Sequence, residues 1–150
     1  MAKLSQQACP AVRAASLIGD KWFLLILREL FRHSYKFDEL QKSTGAASNI
    51  LTSRLKRMMD LGIVMKTLYQ ERPPRYKYRL TEAGLGLMPV ALEMMRYGDT
   101  WMPCSMPTPI LLRHLTCGQI TRPSQICTAC GVPLEAINLR MEDNPEAVIE

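Results

Sequence analysis

Two short helical patterns, separated by a turn that contains glycine, limit residues 35–61 to few folds. Tyr35–Phe37 could form a short strand, and Asp38–Ser43 predicts the first helix, which ends at Gly45. Asn49–Leu61 predicts the second helix, because its apolar residues recur at spacings of four and three. Its other positions form a polar, basic face. This order is typical of a helix-turn-helix, whose second helix can enter the major groove of DNA.

A basic hairpin is predicted directly after the second helix. Ile63–Tyr69 and Arg75–Leu80 have the composition of two strands, and Gln70–Pro74 would connect them. Pro73 and Pro74 stiffen the tip, and Arg72 and Arg75 flank them, so the tip could lie along a minor groove. A helix-turn-helix followed by such a hairpin predicts a winged helix. The expected fold class is therefore mainly α with a small β-hairpin wing.

Further helices are predicted on both sides of this unit. Cys9–Leu17 predicts a short helix, and Lys21–Phe31, capped by Asp20, predicts a buried central helix. A long helix is expected from Thr81 to about Met102, and it carries more apolar surface than one chain needs to bury. We therefore expect a homodimer formed through the terminal helices.

The charge of the chain is concentrated in its first two-thirds. The net charge is +5, and 16 Lys and Arg residues against 9 Asp and Glu residues lie within Met1–Trp101. Such a balance suits a polyanionic partner. No apolar run approaches the ~20 residues of a membrane span, so a cytoplasmic protein without a membrane partner is expected. The sequence also lacks a phosphate-binding glycine loop, an HExxH helix and a serine elbow, so we expect no enzymatic activity.

The outer face of Asn49–Leu61 and the hairpin tip supply the candidate DNA contacts. The short side chains that could reach base edges are Ser48, Asn49, Thr52 and Ser53. Ser48 would also be the N-cap of this helix. Side chains that could hold the phosphate backbone are Lys56, Arg57, Arg72 and Arg75. Two alternatives stay open. The helix could be an ordinary surface helix with a solvated basic face, and Arg54 could be a bridging arginine rather than a DNA contact.

A linker and a cysteine-containing tail follow the predicted winged helix. Three prolines lie within 103–109, which suggests a linker between a domain at 9–102 and a tail at 110–150. The tail has two ligand pairs with zinc-ribbon-like spacing: His114, Cys117, Cys127 and Cys130. One structural zinc per chain is expected, with Cys104 as an alternative fourth ligand. A Cys127–Cys130 disulfide, free thiols, or a tail that packs on its neighbour remain alternatives.

Several segments, taken in order over roughly residues 9–101, resemble successive signatures of the HxlR-type winged helix regulators. They are Cys9-Pro10, Ile18–Trp22, Phe37–Leu40, Arg54–Arg57, Tyr69–Tyr76 and Tyr78–Gly84. The resemblance implies a bacterial dimeric regulator that senses electrophiles, oxidants or small metabolites. Ala46-Ala47 departs from the more usual aliphatic residue and serine of the turn, which puts the start of the second helix in question.

Cys9 is the candidate sensor residue. It precedes the first predicted helix, where amide groups and the helix dipole lower a thiol pKa. In similar HxlR-type regulators a cysteine at the matching position reacts with oxidants or quinones, so the resemblance suggests redox sensing. The alternative is an inert small residue under a dimer helix.

These features together predict a sequence-specific DNA-binding transcriptional regulator, with repression as the expected sign. Its effector would be an oxidant, an electrophile, or an aromatic or apolar small molecule. The alternative function is a protein-interaction module that uses the Met-rich helix after Thr81 and the zinc tail.

Overall fold

The structure, a computed structural model, describes residues 9–33, 35–102, 105, 111–113 and 120–121. Two compact units make up the chain, Met1–Met95 and Arg96–Glu150. The helices are α1 (Pro10–Ile18), α2 (Lys21–Phe31), α3 (Phe37–Thr44), α4 (Ser48–Asp60), α5 (Glu82–Leu85) and α6 (Met88–Trp101). The strands are β1 (Val64–Gln70), β2 (Arg75–Leu80), β3 (Leu112–Arg113) and β4 (Ile120–Thr121). This mainly helical fold with a two-stranded hairpin confirms the predicted fold class.

Helix α2 lies at the centre of the core of the first unit. Asp20 is its N-cap, as predicted, and Asp20 Oδ1 accepts a hydrogen bond from the amide of Trp22 at 3.0 Å. The core side chains come from α2, α3, α4 and the start of β1, and they include Phe23, Ile26, Leu27, Leu30, Leu40, Leu51, Leu55, Met58, Ile63 and Val64. Helix α4 is therefore attached to the core along one face and exposed on the other.

The turn between α3 and α4 differs from the prediction by one residue. Gly45 ends α3 with a left-handed φ of 69°, as expected. Ala47, however, is the N-cap of α4, because its carbonyl accepts the first helical hydrogen bond, from the amide of Leu51 at 3.0 Å. The expectation that Ser48 caps this helix was therefore wrong. Ala46 is buried and its amide donates to Thr44 Oγ1, which brings the chain into the helix one residue early.

The hairpin of β1 and β2 is antiparallel, and its register pairs Val64 with Leu80 and Leu68 with Tyr76. A β-bulge lies between Leu68 and Gln70. The strand considered for Tyr35–Phe37 is only a single bridge, Lys36 to Lys77, because the chain enters α3 at Phe37. The bridge is nevertheless a rudimentary third strand at the free edge of β2.

The long helix predicted from Thr81 to Met102 is two helices, α5 and α6. Thr81 does cap the first of them, since its Oγ1 accepts from the amide of Gly84 at 3.2 Å. The break falls at Gly86 and Leu87, and Pro89 lies in the first turn of α6. Proline has no amide hydrogen, so it is tolerated in a first turn but not in a helix interior. A continuous helix was therefore the wrong expectation.

The described part of the second unit beyond α6 is small. Leu112 pairs with Thr121 and Arg113 with Ile120 in an antiparallel arrangement. The expected zinc ligands His114, Cys117, Cys127 and Cys130, together with Cys104, lie outside the described residues. The linker and tail boundaries stay predictions. Within the described ranges, no helix has the length and apolar character needed to cross a bilayer.

Candidate DNA-binding surface

Helix α4 presents most of the predicted contact residues to solvent. Leu51, Leu55 and Met58 anchor its apolar face in the core. The opposite positions are exposed and comprise Ser48, Asn49, Thr52, Ser53 and Lys56, while Arg57 is half-buried. Short side chains thus occupy the first turns and cations the following turn, an order that suits base contacts from the start of the helix and phosphate contacts beyond it.

Arg54 has a different role from its exposed neighbours. Its Nε pairs with Asp20 Oδ2, and its Nη1 donates to Ser53 Oγ at 3.3 Å. Asp20 therefore uses one carboxylate oxygen to cap α2 and the other to hold Arg54. Both side chains are partly buried, with 30% of Arg54 and 16% of Asp20 exposed. The bridging arrangement that the sequence left open is the one present, and it fixes α4 against the start of α2.

The base of the hairpin is attached to the end of α4. Gly62 follows α4 with a left-handed φ of 69°, and the Thr81 hydroxyl donates to the carbonyl of Gly62. The amide of Thr81 donates to the carbonyl of Ile63 at 3.0 Å. Gly84 lies so close to this junction that an added Cβ would be 2.3 Å from the carbonyl oxygen of Ile63. These contacts tie the orientation of the hairpin to α4.

The hairpin tip is exposed and carries the two predicted arginines. Every residue of 71–76 is exposed, including Arg72 and Arg75. Gln70 Nε2 donates to the carbonyl of Arg72 at 3.1 Å, which braces the turn from inside. The peptide bond between Arg72 and Pro73 is cis. The tip therefore presents two cations on a short, braced loop.

The profile of the HxlR-like helix-turn-helix family matches residues 17–106 of this sequence. The chain belongs to this family. It is thus a helix-turn-helix transcriptional regulator, and DNA is its partner. This membership confirms the resemblance inferred from the segments between Ile18–Trp22 and Tyr78–Gly84, while Cys9-Pro10 precedes the matched range. It does not favour the protein-interaction alternative.

Individual relatives agree with this assignment. MT3179 of Mycobacterium tuberculosis (strain CDC 1551 / Oshkosh), named an uncharacterized HTH-type transcriptional regulator, is 41% identical over 133 residues, which are 89% of this chain and 84% of MT3179. The crystal structure of PA1607, described as a candidate transcription factor, superposes with a TM-score of 0.80 at 30% identity and covers 95% of this chain and 99% of PA1607. The reduced form of the redox regulator HypR gives a TM-score of 0.59 at 27% identity, over 63% of this chain and 95% of HypR.

Cys9 of this HxlR-like protein lies at the N-terminus of α1 and is exposed. The backbone amides of Val12 and Ala11, and then the positive charge of Arg13, lower the pKa of the Cys9 thiol below its ordinary value. The thiolate is the reactive form of cysteine, so this position favours reaction with electrophiles and oxidants.

The structure adds contacts that the sequence did not predict. Lys36, Tyr69 and Lys77 come together at the bridge between the start of α3 and β2. Nothing in the local sequence signals this cluster, because it depends on a tertiary pairing of residues 41 positions apart in the bridge. In the part of the chain that the structure describes, no three His, Cys, Asp or Glu side chains converge as a metal site.

Proposed function

We propose that this HxlR-like protein is a sequence-specific, cytoplasmic repressor that reads bases with the exposed start of α4 and holds the backbone with the later cations. The observation that supports this most is the division of α4 into a core-anchored apolar face and an exposed polar face. Ser48, Asn49, Thr52 and Ser53 would contact base edges. Lys56, Arg57, Arg72 and Arg75 would contact phosphates, with the two hairpin arginines at the adjacent minor groove.

A titration against the DNA upstream of its own gene, with random DNA as competitor, tests this proposal. We expect binding that resists competitor and falls by orders of magnitude between ~50 and ~200 mM salt. Asn49→Ala should reduce discrimination between specific and random DNA, whereas Lys56→Gln should weaken binding to both alike. Lys21→Gln is a matched control, because Lys21 is exposed on α2 beside Trp22, outside α4 and the hairpin. Absence of binding to any fragment at low salt would overturn the proposal.

The functional form is proposed to be a homodimer built on the terminal helices. Among the described residues of α6 none is buried, although the helix carries Met94, Tyr97 and Trp101, which are 46%, 60% and 70% exposed. Large apolar side chains exposed along one helix favour a partner surface. Sedimentation analysis should give a dimer, and Tyr97→Asp should shift it toward monomer; a monomeric parent protein would contradict this.

Cys9 is proposed as the oxidant-sensing residue. Its exposure and its lowered thiol pKa support this, as does the likeness to HypR, a redox regulator. Peroxide would oxidise the thiolate to a sulfenic acid by two electrons, with water or hydroxide as the leaving product. DNA release on oxidation should be lost in Cys9→Ser. A Cys9→Ser variant that releases DNA like the parent would remove Cys9 from the mechanism and direct attention to an aromatic or apolar effector.

A structural zinc in the tail is a separate proposal, and it rests on the sequence spacing of His114, Cys117, Cys127 and Cys130. Elemental analysis of protein purified without chelator should give about one zinc per chain if all four residues are ligands. Cys127→Ser should reduce that content. A loss of two hydrogens by intact mass, with no metal, would instead indicate a disulfide, and a Cys127–Cys130 bond requires that this loss be absent in Cys127→Ser. We propose no catalytic role for a site closed by four protein ligands.

A further inference from the structure

Two lysines face each other where the start of α3 meets the hairpin. Lys36 bridges Lys77 in antiparallel fashion, and the hydrogen bond beside the bridge runs from the amide of Tyr78 to the carbonyl of Tyr35 at 2.7 Å. Because that bond joins the flanking residues, Lys36 and Lys77 form a non-hydrogen-bonded pair, the arrangement in which opposite side chains are closest. Two like charges are therefore opposed at short range, which is destabilising in a sheet.

The ring of Tyr69 holds both ammonium groups at this point. The distance from its centroid is 5.9 Å to Lys36 Nζ and 5.4 Å to Lys77 Nζ. Tyr69 lies at the β-bulge between Leu68 and Gln70, which reorients the side chain relative to a regular strand. Tyr69 is 40% exposed, so the ring and the two cations around it are accessible from solvent. We refer to Lys36, Tyr69 and Lys77 as the lysine–tyrosine cluster.

The charges around the cluster leave it net positive. Arg75 and Arg79 alternate with Lys77 along β2 and so share its face of the hairpin. Over the described residues, none of these three cations forms an ion pair with a carboxylate. Glu39 Oε1 pairs with Lys36 Nζ at 3.5 Å, while Glu39 Oε2 accepts from the amides of Tyr35 and Lys36. Lys36 thus has one carboxylate partner, and the cations of β2 leave the cluster and its surroundings net positive.

The position of the cluster indicates what its net positive charge binds. In a helix-turn-helix the first helix crosses the DNA backbone while the second enters the major groove. Lys36 is the N-cap of the first helix, α3, and Lys77 belongs to the hairpin whose tip is directed to the neighbouring minor groove in the proposed complex. A phosphate strand separates those two grooves. The cluster lies where α3, which would cross that strand, meets the hairpin, whose tip would enter the minor groove.

We propose that Lys36 and Lys77, held around the Tyr69 ring, bind the DNA phosphate strand between the groove that α4 enters and the groove that the hairpin tip contacts. This inference rests on the proposed DNA-binding function and adds a contact that belongs to neither α4 nor the tip. The repulsion between the lysines in the unbound protein is relieved when a phosphate lies between them. Tyr69 is a positioning residue, because it acts by holding the two ammonium groups.

The test compares the full-length parent with Lys36→Gln/Lys77→Gln on specific DNA over a salt series. Each phosphate contact contributes about 0.9 to the slope of log affinity against log salt, so the slope should fall by about 2 per protomer. Affinity for specific and random DNA should fall alike, by about tenfold or more at ~0.1 M salt. Lys21→Gln is the matched control, because the Lys21 ammonium also lies over an aromatic ring, 4.8 Å from the centroid of Trp22. This variant should change the slope by less than the ~0.9 expected for one phosphate contact.

Three further measurements separate a DNA contact from a structural role. The melting temperature of the double variant should stay close to that of the parent, because loss of the Lys36–Glu39 pair and of the two contacts with the Tyr69 ring is offset by removal of the opposed like charges. Methylphosphonate substitution, one phosphate at a time, should identify a position that weakens the parent but not the double variant. Tyr69→Leu should lower affinity without the full change of slope, and Tyr69→Phe, which keeps the ring, should restore it.

The outcomes are distinguishable from failure of the proposed function. If the parent binds specific DNA and the double variant keeps the same slope and affinity, the lysine–tyrosine cluster is not a phosphate contact and this inference is wrong. The same holds if no neutralised phosphate distinguishes the two proteins. If the parent itself fails to bind DNA at low salt, the proposed DNA-binding function is wrong and the inference is overturned with it.

Discussion

Helices α4 and α6 have similar lengths, 13 and 14 residues, but opposite relations to the rest of the protein. Helix α4 buries its large apolar side chains and exposes polar and basic ones. Helix α6 buries none of its described residues and exposes Met94, Tyr97 and Trp101. A helix whose apolar face is already covered can offer only its polar face to a partner. One whose apolar residues remain uncovered is suited to a partner that covers them.

This contrast explains how one small chain can serve two different partners. The exposed face of α4 matches a polyanion, and its orientation is fixed by the core and by the pairing of Arg54 with Asp20. The exposed side chains of α6 match another apolar surface, for which a second copy of the chain is the proposed source. Substitutions of the apolar residues of α4 should therefore act on folding, whereas substitutions of the exposed apolar residues of α6 should act on association of two chains.

The largest expected effect is from Leu55→Ala in α4. Leu55 is almost completely buried, so truncation leaves a cavity and should lower the free energy of unfolding by about 2–5 kcal/mol. Trp101→Ala in α6 should leave the unfolding free energy of the monomer nearly unchanged and should raise the dimer dissociation constant. Urea unfolding at several protein concentrations separates the two effects. Equal losses of monomer stability in the two variants would contradict the assignment of α4 to the core and of α6 to a dimer surface.

Two glycines provide the next comparison. An added Cβ at Gly84 would meet the Ile63 carbonyl at 2.3 Å, so Gly84→Ala should destabilise the fold by about 1–3 kcal/mol. Gly98, inside α6, has no atom within 4 Å of an added Cβ among the described surroundings. Gly98→Ala should therefore stabilise by about 0.5–1 kcal/mol, because alanine is the better helix former. Thermal unfolding of the two variants should show a lower melting temperature for Gly84→Ala and a higher one for Gly98→Ala. A destabilising Gly98→Ala would indicate that a partner chain approaches α6 closely there.

The sequence was sufficient to predict most of this architecture because local patterns determine it. The apolar spacing of α4, the cap at Asp20 and the end of α3 at Gly45 all agree with the structure. The cap of α4 was predicted wrongly, as Ser48 rather than Ala47, and the helix break at Gly86 and Leu87 was missed, since each is decided by one residue of turn geometry. In the first case the buried Ala46 shifts the start of the helix, and in the second Pro89 restarts it.

The candidate site was predictable only where it is made of consecutive residues. The exposed face of α4 and the arginines of the tip follow from periodicity and from position in the hairpin. The lysine–tyrosine cluster depends on the bridge between Lys36 and Lys77 and on a bulge in β1, and neither leaves a local signal. The role of Arg54 was undecided in the sequence, because an arginine next to a core leucine fits a bridge or a DNA contact equally well.

The Asp20 and Arg54 pair predicts a smaller effect, which links the core to the DNA-binding face of α4. Asp20→Ser should keep the cap of α2 but lose the ion pair, whereas Asp20→Ala should lose both and be less stable by about a further 1 kcal/mol. A double-mutant cycle of Asp20→Ser with Arg54→Ala should give a coupling of about 1 kcal/mol in unfolding. DNA affinity should fall with each single variant. Additive effects on stability and affinity would show that the pair does not orient α4.

The smallest expected effect concerns the pH dependence of the reactivity of Cys9, which precedes α1 and lies outside α4 and the hairpin. Because helix amides and Arg13 lower its thiol pKa, alkylation by iodoacetamide should reach half its maximal rate at a pH below the ordinary value for cysteine. Arg13→Gln should move that midpoint upward slightly, since Arg13 is a lesser cause than the amides. The folded-state pKa is the lower one, so the thiolate favours folded α1 above the unfolded pKa. This contribution is lost as the pH falls through the folded value. A midpoint equal to that of the urea-unfolded chain would mean that α1 does not activate the thiol, and sensing would then have to arise elsewhere.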